Sequence, residues 1–218
     1  MVKYIIFDLD GTLVNSIYDL ADSMNFVLEQ NGYAVHPLES FYYFVGNGTL
    51  KLVERALPED KRTDEEIERV HEQFAEHYSK NYLNKTVPYD GISELLNELE
   101  NKGIGYAAAS NKTDIFTHEI IEKLFPENKF DKIMGKKDGN PTKPNPKIVY
   151  DILSGKDLKD SEILFVGDSN VDIQTGHNAN IKSVGCLWGF RDKKELEEAG
   201  ADFLISSPYE LLEIINNY

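Results

Sequence analysis

The chain has 218 residues, 41% hydrophobic and 28% charged, with a formal net charge of -15; this suits a folded globular protein of one large domain, or a domain plus an insertion. So acidic a surface repels nucleic-acid phosphates and anionic lipid headgroups, which excludes both as partners. The single cysteine, Cys186, excludes an internal disulfide and a multi-cysteine metal site. No basic stretch leads into a long apolar run at the N-terminus, and no apolar run approaches the ~20 residues of a membrane span. The expectation is a cytoplasmic protein without a membrane partner, monomer or homodimer, whose phosphate site, if any, needs local positive charge.

In chain order, strands are predicted at residues 3–8, 105–109, 130–134, 162–167, 183–187 and 202–205. Their near-continuous hydrophobicity points to strands covered on both faces, as in a parallel sheet. Helix-period segments separate them. "DGISELLNELENKG" places Ile92, Leu95, Leu96 and Leu99 on one face and ends at Gly103, a C′ residue. The alternation predicts a doubly wound α/β core. Residues 16–84 break it, with helices and no strand. Ile17, Leu20, Met24, Val27 and Leu28 form one stripe; a later helix opens with the capping-box pattern "TDEE" and buries Ile67, Val70, Phe74 and Tyr78. The expected division is a core of residues 1–14 and 86–218 with a helical insertion at 15–85.

The first strand runs into "FDLDGTLVNS". Side chains two apart on a strand share a face, and open α/β sheets bind ligands at strand C-terminal ends. Either aspartate alone reads equally well as a turn or helix cap. The pair, Asp8 and Asp10, repels itself unless a cation or a shared proton intervenes. That suggests a divalent ion, a division of acid and base work, or both. Gly11 lets the chain turn sharply, and Thr12 offers a hydroxyl and a backbone N–H to an anion.

Three further strand ends carry polar groups. Ser110 and Asn111 follow "YAAA" and, with the next N–H groups, form a cradle for phosphate oxygens, although Ser-Asn alone reads as a helix cap. Lys143 stands in "TKPNP", where the prolines hold it on a defined loop; within reach of Asp8 it would neutralise charge at a reacting centre. "LFVGDSNVD" ends a strand at Asp168, which with Asp8 makes a hard oxygen site suited to Mg2+, and Asp172 can orient a ligand or pair with Lys143. "GIGYAA" at residues 103–108 matches a dinucleotide fingerprint but precedes a strand rather than joining strand to helix, so it is rejected.

These residues together resemble the haloacid dehalogenase superfamily: "DLDGT", "SNK", "KPNP" and "GDSNVD" are similar to its four motifs, in order, and the helical insertion to its cap. Within it, "VGNGTLKLVERAL", "GDSNVDIQTGHNAN" and "WGFR" resemble phosphoglycolate phosphatases. The resemblance implies that Asp8 is the nucleophile and Asp10 the general acid/base. It implies Mg2+ on Asp8, the Asp10 carbonyl and Asp168, phosphate held by Ser110 and Lys143, and Asp172 supporting both metal shell and lysine. Two positions depart from the pattern: Asn15, at the cap hinge, and Asn180, which replaces a glycine but tolerates a left-handed backbone.

The implied activity is Mg2+-dependent hydrolysis of a small phosphorylated metabolite, 2-phosphoglycolate being the leading candidate. A sugar-phosphate mutase of the β-phosphoglucomutase type and an inorganic pyrophosphatase share the same fold. Asp10 argues against a dehalogenase, and an N-terminal D-x-D with a helical insertion argues against a receiver-like signalling domain. Leaving-group choice is expected from the loop Gly46, Asn47 and Gly48 with Lys51 and Arg55, which read equally as a helix–helix turn followed by exposed charges. Trp188 and Arg191 of "WGFR" either line the cleft or pack on the core.

Overall fold

The computed structural model describes residues 1–217. In chain order, β1 (Tyr4–Phe7) and β2 (Val14–Asn15) precede α1 (Ile17–Gln30), α2 (Leu38–Phe44), α3 (Thr49–Ala56) and α4 (Asp64–Asn81). Then follow β3 (Val87–Pro88), α5 (Ile92–Asn101), β4 (Gly105–Thr113), α6 (Asp114–Leu124), β5 (Lys132–Lys136) and α7 (Lys147–Leu153). The chain continues through β6 (Ile163–Gly167), α8 (Asn170–Asn178), β7 (Lys182–Cys186), α9 (Lys193–Glu198), β8 (Phe203–Ile205) and α10 (Pro208–Asn217). It divides into two compact units, residues 1–14 with 88 onward, and residues 15–87. The second boundary falls between 87 and 88 rather than between 85 and 86, because the short strand β3 straddles it.

The first unit holds a six-stranded sheet in the order β5-β4-β1-β6-β7-β8, parallel throughout. Every residue of β1 and β6 is buried, as continuous apolar strands between two helical layers require. Tyr4 and Ile6 face one side, packing with Ala107, Ala109, Phe165 and, from α7, Val149 and Ile152. Burying each such side chain contributes roughly 1.5–3 kcal/mol. All six expected strands form. β5 starts two residues later than expected, because Phe130 instead sets its ring edge-on against Tyr106, centroids 4.8 Å apart. β4 runs past its expected end at Ala109 to Thr113, with irregular pairing in that extension.

Gly103 closes α5 at φ +70°, with Ile104 N–H donating to Leu99 O at 2.9 Å. Asn180 takes the same role after α8 at φ +58°, Ile181 N–H reaching Gly176 O at 3.0 Å. The asparagine therefore adopts the left-handed turn expected of it.

The second unit is helical. The α1 stripe of Ile17, Leu20, Met24, Val27 and Leu28 is buried. Thr63 caps α4, its Oγ1 accepting from Glu66 N at 3.3 Å. Glu66 does not bond back to close a capping box; its carboxylate accepts from Arg69 and from Tyr33 Oη. Val70, Phe74 and Tyr78 of α4 are buried, but Ile67 is only half-buried, among exposed first-turn residues. Buried Asp19 joins α1 to the unit's other end, accepting from Lys85 N at 3.0 Å, Thr86 N at 2.8 Å and Thr86 Oγ1 at 2.7 Å. Among the described residues, no helix is long and apolar enough to cross a membrane.

Candidate active site

β1 lies between β4 and β6, so their C-terminal ends open side by side where the chain's crossovers change direction. Asp8 follows β1, its N–H donating to Val166 O at 2.9 Å. Asp168 follows β6. Gly167 is required there, since a Cβ on it would lie 2.2 Å from Asp172 Cβ. Asp172 caps its own helix start: its Oδ2 accepts from Ser169 N at 3.1 Å and Ser169 Oγ at 2.6 Å.

Lys143 joins these carboxylates. Its buried Nζ lies 2.8 Å from Asp8 Oδ1 and 2.6 Å from Asp172 Oδ1, over the Phe165 ring at 5.4 Å from the centroid. Asn111 fixes the lysine's backbone from both sides, accepting from Lys143 N at 2.8 Å and donating to Lys143 O at 3.2 Å. Burial works against the lysine's charge, but Asp172 and Asp8 outweigh it and hold the ammonium above its usual range. Asp8 is pushed up to about 7, by burial first and then by the charge of Asp172, against the pull of Lys143. Asp168 is raised well above the carboxylate range by burial, then by Asp172 and Asp8.

Asp8, Asp168 and Asp172 place ligand oxygens within 4.8 Å of one another. Three carboxylates meet Lys143 here, with Arg191 also acting on Asp168, so once ionised the cluster carries a surplus of negative charge that a divalent ion would balance. Asp172 already uses both oxygens, on Lys143 and Ser169, so Asp8 and Asp168 are the carboxylates that fit such an ion. An all-oxygen donor set suits Mg2+.

Asp10 is not one of these three carboxylates but adds to the charge felt by Asp8; its side chain is paired with the buried Lys112, whose Nζ is 3.0 Å from Oδ2. Lys112 was not singled out in the sequence. Its signal is a lysine three residues past the apolar run ending at Ala109, at a strand end where the sheet opens. Ser110 is buried at the end of the regular β4 pairing and accepts from Lys112 N at 3.2 Å. It does not cap α6, whose N-cap is Thr113.

Thr12 differs from expectation. Its N–H donates to Leu9 O at 3.2 Å and its fully buried hydroxyl lies 3.7 Å from Cys186 Sγ, so neither is offered to an anion. The tight turn after Asp10 directs both inward. The Asn111 side chain is likewise committed, to Lys143, rather than projecting toward a phosphate. "WGFR" lies against the site: half-buried Trp188 donates from Nε1 to Thr12 O at 3.0 Å, Phe190 N donates to Asp168 Oδ2 at 2.7 Å, and Arg191 pairs with Glu195 at 3.2 Å.

Within the helical unit, Gly46 and Gly48 take positive φ, +112° and +86°, around Asn47. Arg55 holds this loop, donating to Tyr43 O at 3.1 Å, Phe44 O at 3.0 Å and Asn47 Oδ1 at 2.7 Å. Lys51 pairs with Glu54.

Residues 5–186 match the family model of the haloacid dehalogenase-like hydrolases, and the chain belongs to that family. It is 32% identical to the phosphoglycolate phosphatase of Haemophilus influenzae, covering 98% of each chain. It is 31% identical to that of Aquifex aeolicus, covering 100% of this chain and 98% of the other. Among solved structures, a candidate phosphoglycolate phosphatase from Lactobacillus delbrueckii subsp. bulgaricus superposes with a TM-score of 0.91 at 30% identity, over 98% of each chain.

Proposed function

We propose that the protein is a Mg2+-dependent phosphatase hydrolysing a small phosphate monoester, with 2-phosphoglycolate as the leading substrate, through an aspartyl-phosphate on Asp8. The carrying observation is the buried set of Asp8, Lys143, Asp168 and Asp172, with its surplus of negative charge. The likeness to named phosphoglycolate phosphatases over nearly the whole chain supports the substrate.

An Asp8 oxygen attacks phosphorus, and the ester P–O bond breaks as Asp10 gives its proton to the leaving oxygen. Asp10 then takes a proton from the water that attacks the aspartyl-phosphate, releasing phosphate and restoring Asp8. Lys143 stays protonated and, with Ser110, holds the transferring phosphoryl oxygens. Mg2+ held by Asp8, Asp168 and the Asp10 carbonyl would neutralise charge on those oxygens when bound. Leaving-group choice is assigned to the Gly46–Gly48 loop that Arg55 holds, with Lys51 beside it.

The test is phosphate release from 2-phosphoglycolate, pyrophosphate and hexose phosphates, with Mg2+ or EDTA, for wild type and Asp8→Asn. The reading expects fastest release from 2-phosphoglycolate with Mg2+ and none from the variant. Full activity in Asp8→Asn overturns the mechanism. Preference for pyrophosphate, or isomerised product without phosphate release, overturns the substrate assignment.

A further inference from the structure

The segment after β7 surrounds one carboxylate of the cluster more closely than packing alone requires. Phe190 N–H donates to Asp168 Oδ2 at 2.7 Å, in a buried bond. A Cβ on Gly189 would lie 2.2 Å from Asp168 Cβ and 2.4 Å from the Gly11 carbonyl oxygen. A Cβ on Gly11 would likewise lie 2.3 Å from Asp168 Oδ2, and Gly11 sits at φ +88°. Trp188 Nε1 fastens the same turn by donating to Thr12 O at 3.0 Å. Cys186, at the end of β7, rests its Sγ 3.9 Å from Gly11 O and 3.7 Å from Thr12 Oγ1.

We propose that Trp188, Gly189 and Phe190 form a positioning element that fixes the rotamer of Asp168 and its distance from the turn after Asp8, and so sets metal affinity. With Oδ2 committed to the Phe190 amide, Oδ1 is the oxygen left for the ion. Two glycines are the only residues that let both backbones close on Asp168. The Trp188 bond ties the carboxylate's support to the turn that follows Asp8 and Asp10, and so to the chain segment that carries Asp8. Partners that orient a metal-binding carboxylate typically change metal affinity by about 10–100-fold when lost. The inference rests on the metal-dependent reading above.

The experiment is calorimetric titration of Mg2+ into metal-free wild type, Gly189→Ala and Trp188→Phe, with thermal unfolding in EDTA to establish that each is folded. Gly189→Ala, which pushes on Asp168 directly, is expected to weaken Mg2+ binding at least about tenfold. Trp188→Phe keeps an aromatic ring, though a smaller one, and loses the N–H bond, and is expected to weaken it about threefold; saturating Mg2+ should then restore kcat with KM for the ester unchanged. A general packing defect would instead lower stability and leave the Mg2+ dependence of kcat where it was. If folded Gly189→Ala binds Mg2+ within twofold of wild type, the proposal is overturned. If that variant does not fold, unchanged affinity in Trp188→Phe overturns it. Wild type that binds no Mg2+ removes the functional reading itself, which separates the two failures.

Discussion

Lys112 Nζ lies 3.0 Å from Asp10 Oδ2 and 3.1 Å from Oδ1, bracketing the carboxylate from a nearly fully buried position. Lys143 reaches only one oxygen of Asp8, Oδ1 at 2.8 Å. Of the two carboxylates at the end of β1, Asp10 therefore has a lysine of its own, whereas Asp8 shares one with Asp172. Removing one partner of a buried pair leaves an uncompensated charge; since Asp10 is partly solvated, each single change should cost about 2–3 kcal/mol, toward the low end for buried pairs. Lys112→Met combined with Asp10→Asn should cost less than the sum of the singles by at least about 1 kcal/mol. Urea unfolding of the four proteins measures this, and strictly additive losses would show that the pair contributes no coupling.

The carboxylate cluster predicts a pH dependence with a definite sign. Asp8 is raised to about 7, by burial first and by Asp172 next, and Asp168 is raised for the same kinds of reason. A carboxyl whose folded pKa exceeds its unfolded value holds its proton longer in the folded state, so the contribution to stability falls as pH rises from about 4 through about 7. Bound Mg2+ offsets that loss by favouring the ionised form. The rise in melting temperature on adding saturating Mg2+ should therefore be near zero at about pH 5 and grow through about pH 7 to 8. A rise that does not change with pH would mean that these carboxylates are not what the ion binds.

The strands were legible because β1 and β6 are buried on both faces and leave uninterrupted apolar runs. Asp8 and Asp168 were legible because a carboxylate directly after such a run sits where an α/β sheet opens. What stayed hidden was partner choice across long stretches of chain. Asn111 holds the backbone of a residue 32 positions away, and Lys112 reaches a carboxylate 102 positions away. Neither separation leaves any periodic trace. Thr12 was misread because its type suits an anion site, while the turn geometry that turns it inward depends on Leu9 and on a distant strand. Arg55 reads in the sequence only as a charge, because two of its acceptors are the last carbonyls of α2, groups that every sequence offers at every position.

Arg55 gives a prediction confined to the helical unit. Its guanidinium spans two carbonyls and the Asn47 side chain, a planar fork that a lysine ammonium does not reproduce. Arg55→Ala should raise amide hydrogen exchange across residues 43–48 by about tenfold or more, since each bond to a charged group contributes roughly 1.5–3 kcal/mol. Arg55→Lys should restore only a minor part of the protection. Exchange in Arg55→Ala equal to wild type would remove Arg55 as the residue that holds the loop, and Lys51, paired with Glu54 on the exposed face, should show no such effect when changed to alanine.

Asp19 should matter more to stability than a helix aspartate normally does. It accepts from two backbone N–H groups and one hydroxyl, on Lys85 and Thr86, and is nearly inaccessible to solvent. Alanine in its place leaves Thr86 N–H buried without that acceptor, and an unmet buried donor costs about 1–3 kcal/mol. With Lys85 N–H and the Thr86 hydroxyl also released, Asp19→Ala should lose about 2–4 kcal/mol in urea unfolding, whereas Asp19→Asn, keeping one acceptor oxygen, should lose about half as much. A serine at Thr86 retains the hydroxyl bond and should stay within about 1 kcal/mol of wild type, so the ranking separates the hydrogen bonds from the methyl packing. If Asp19→Ala and Asp19→Asn were equally mild, the two ends of the helical unit would be held together by apolar contacts and not by this carboxylate.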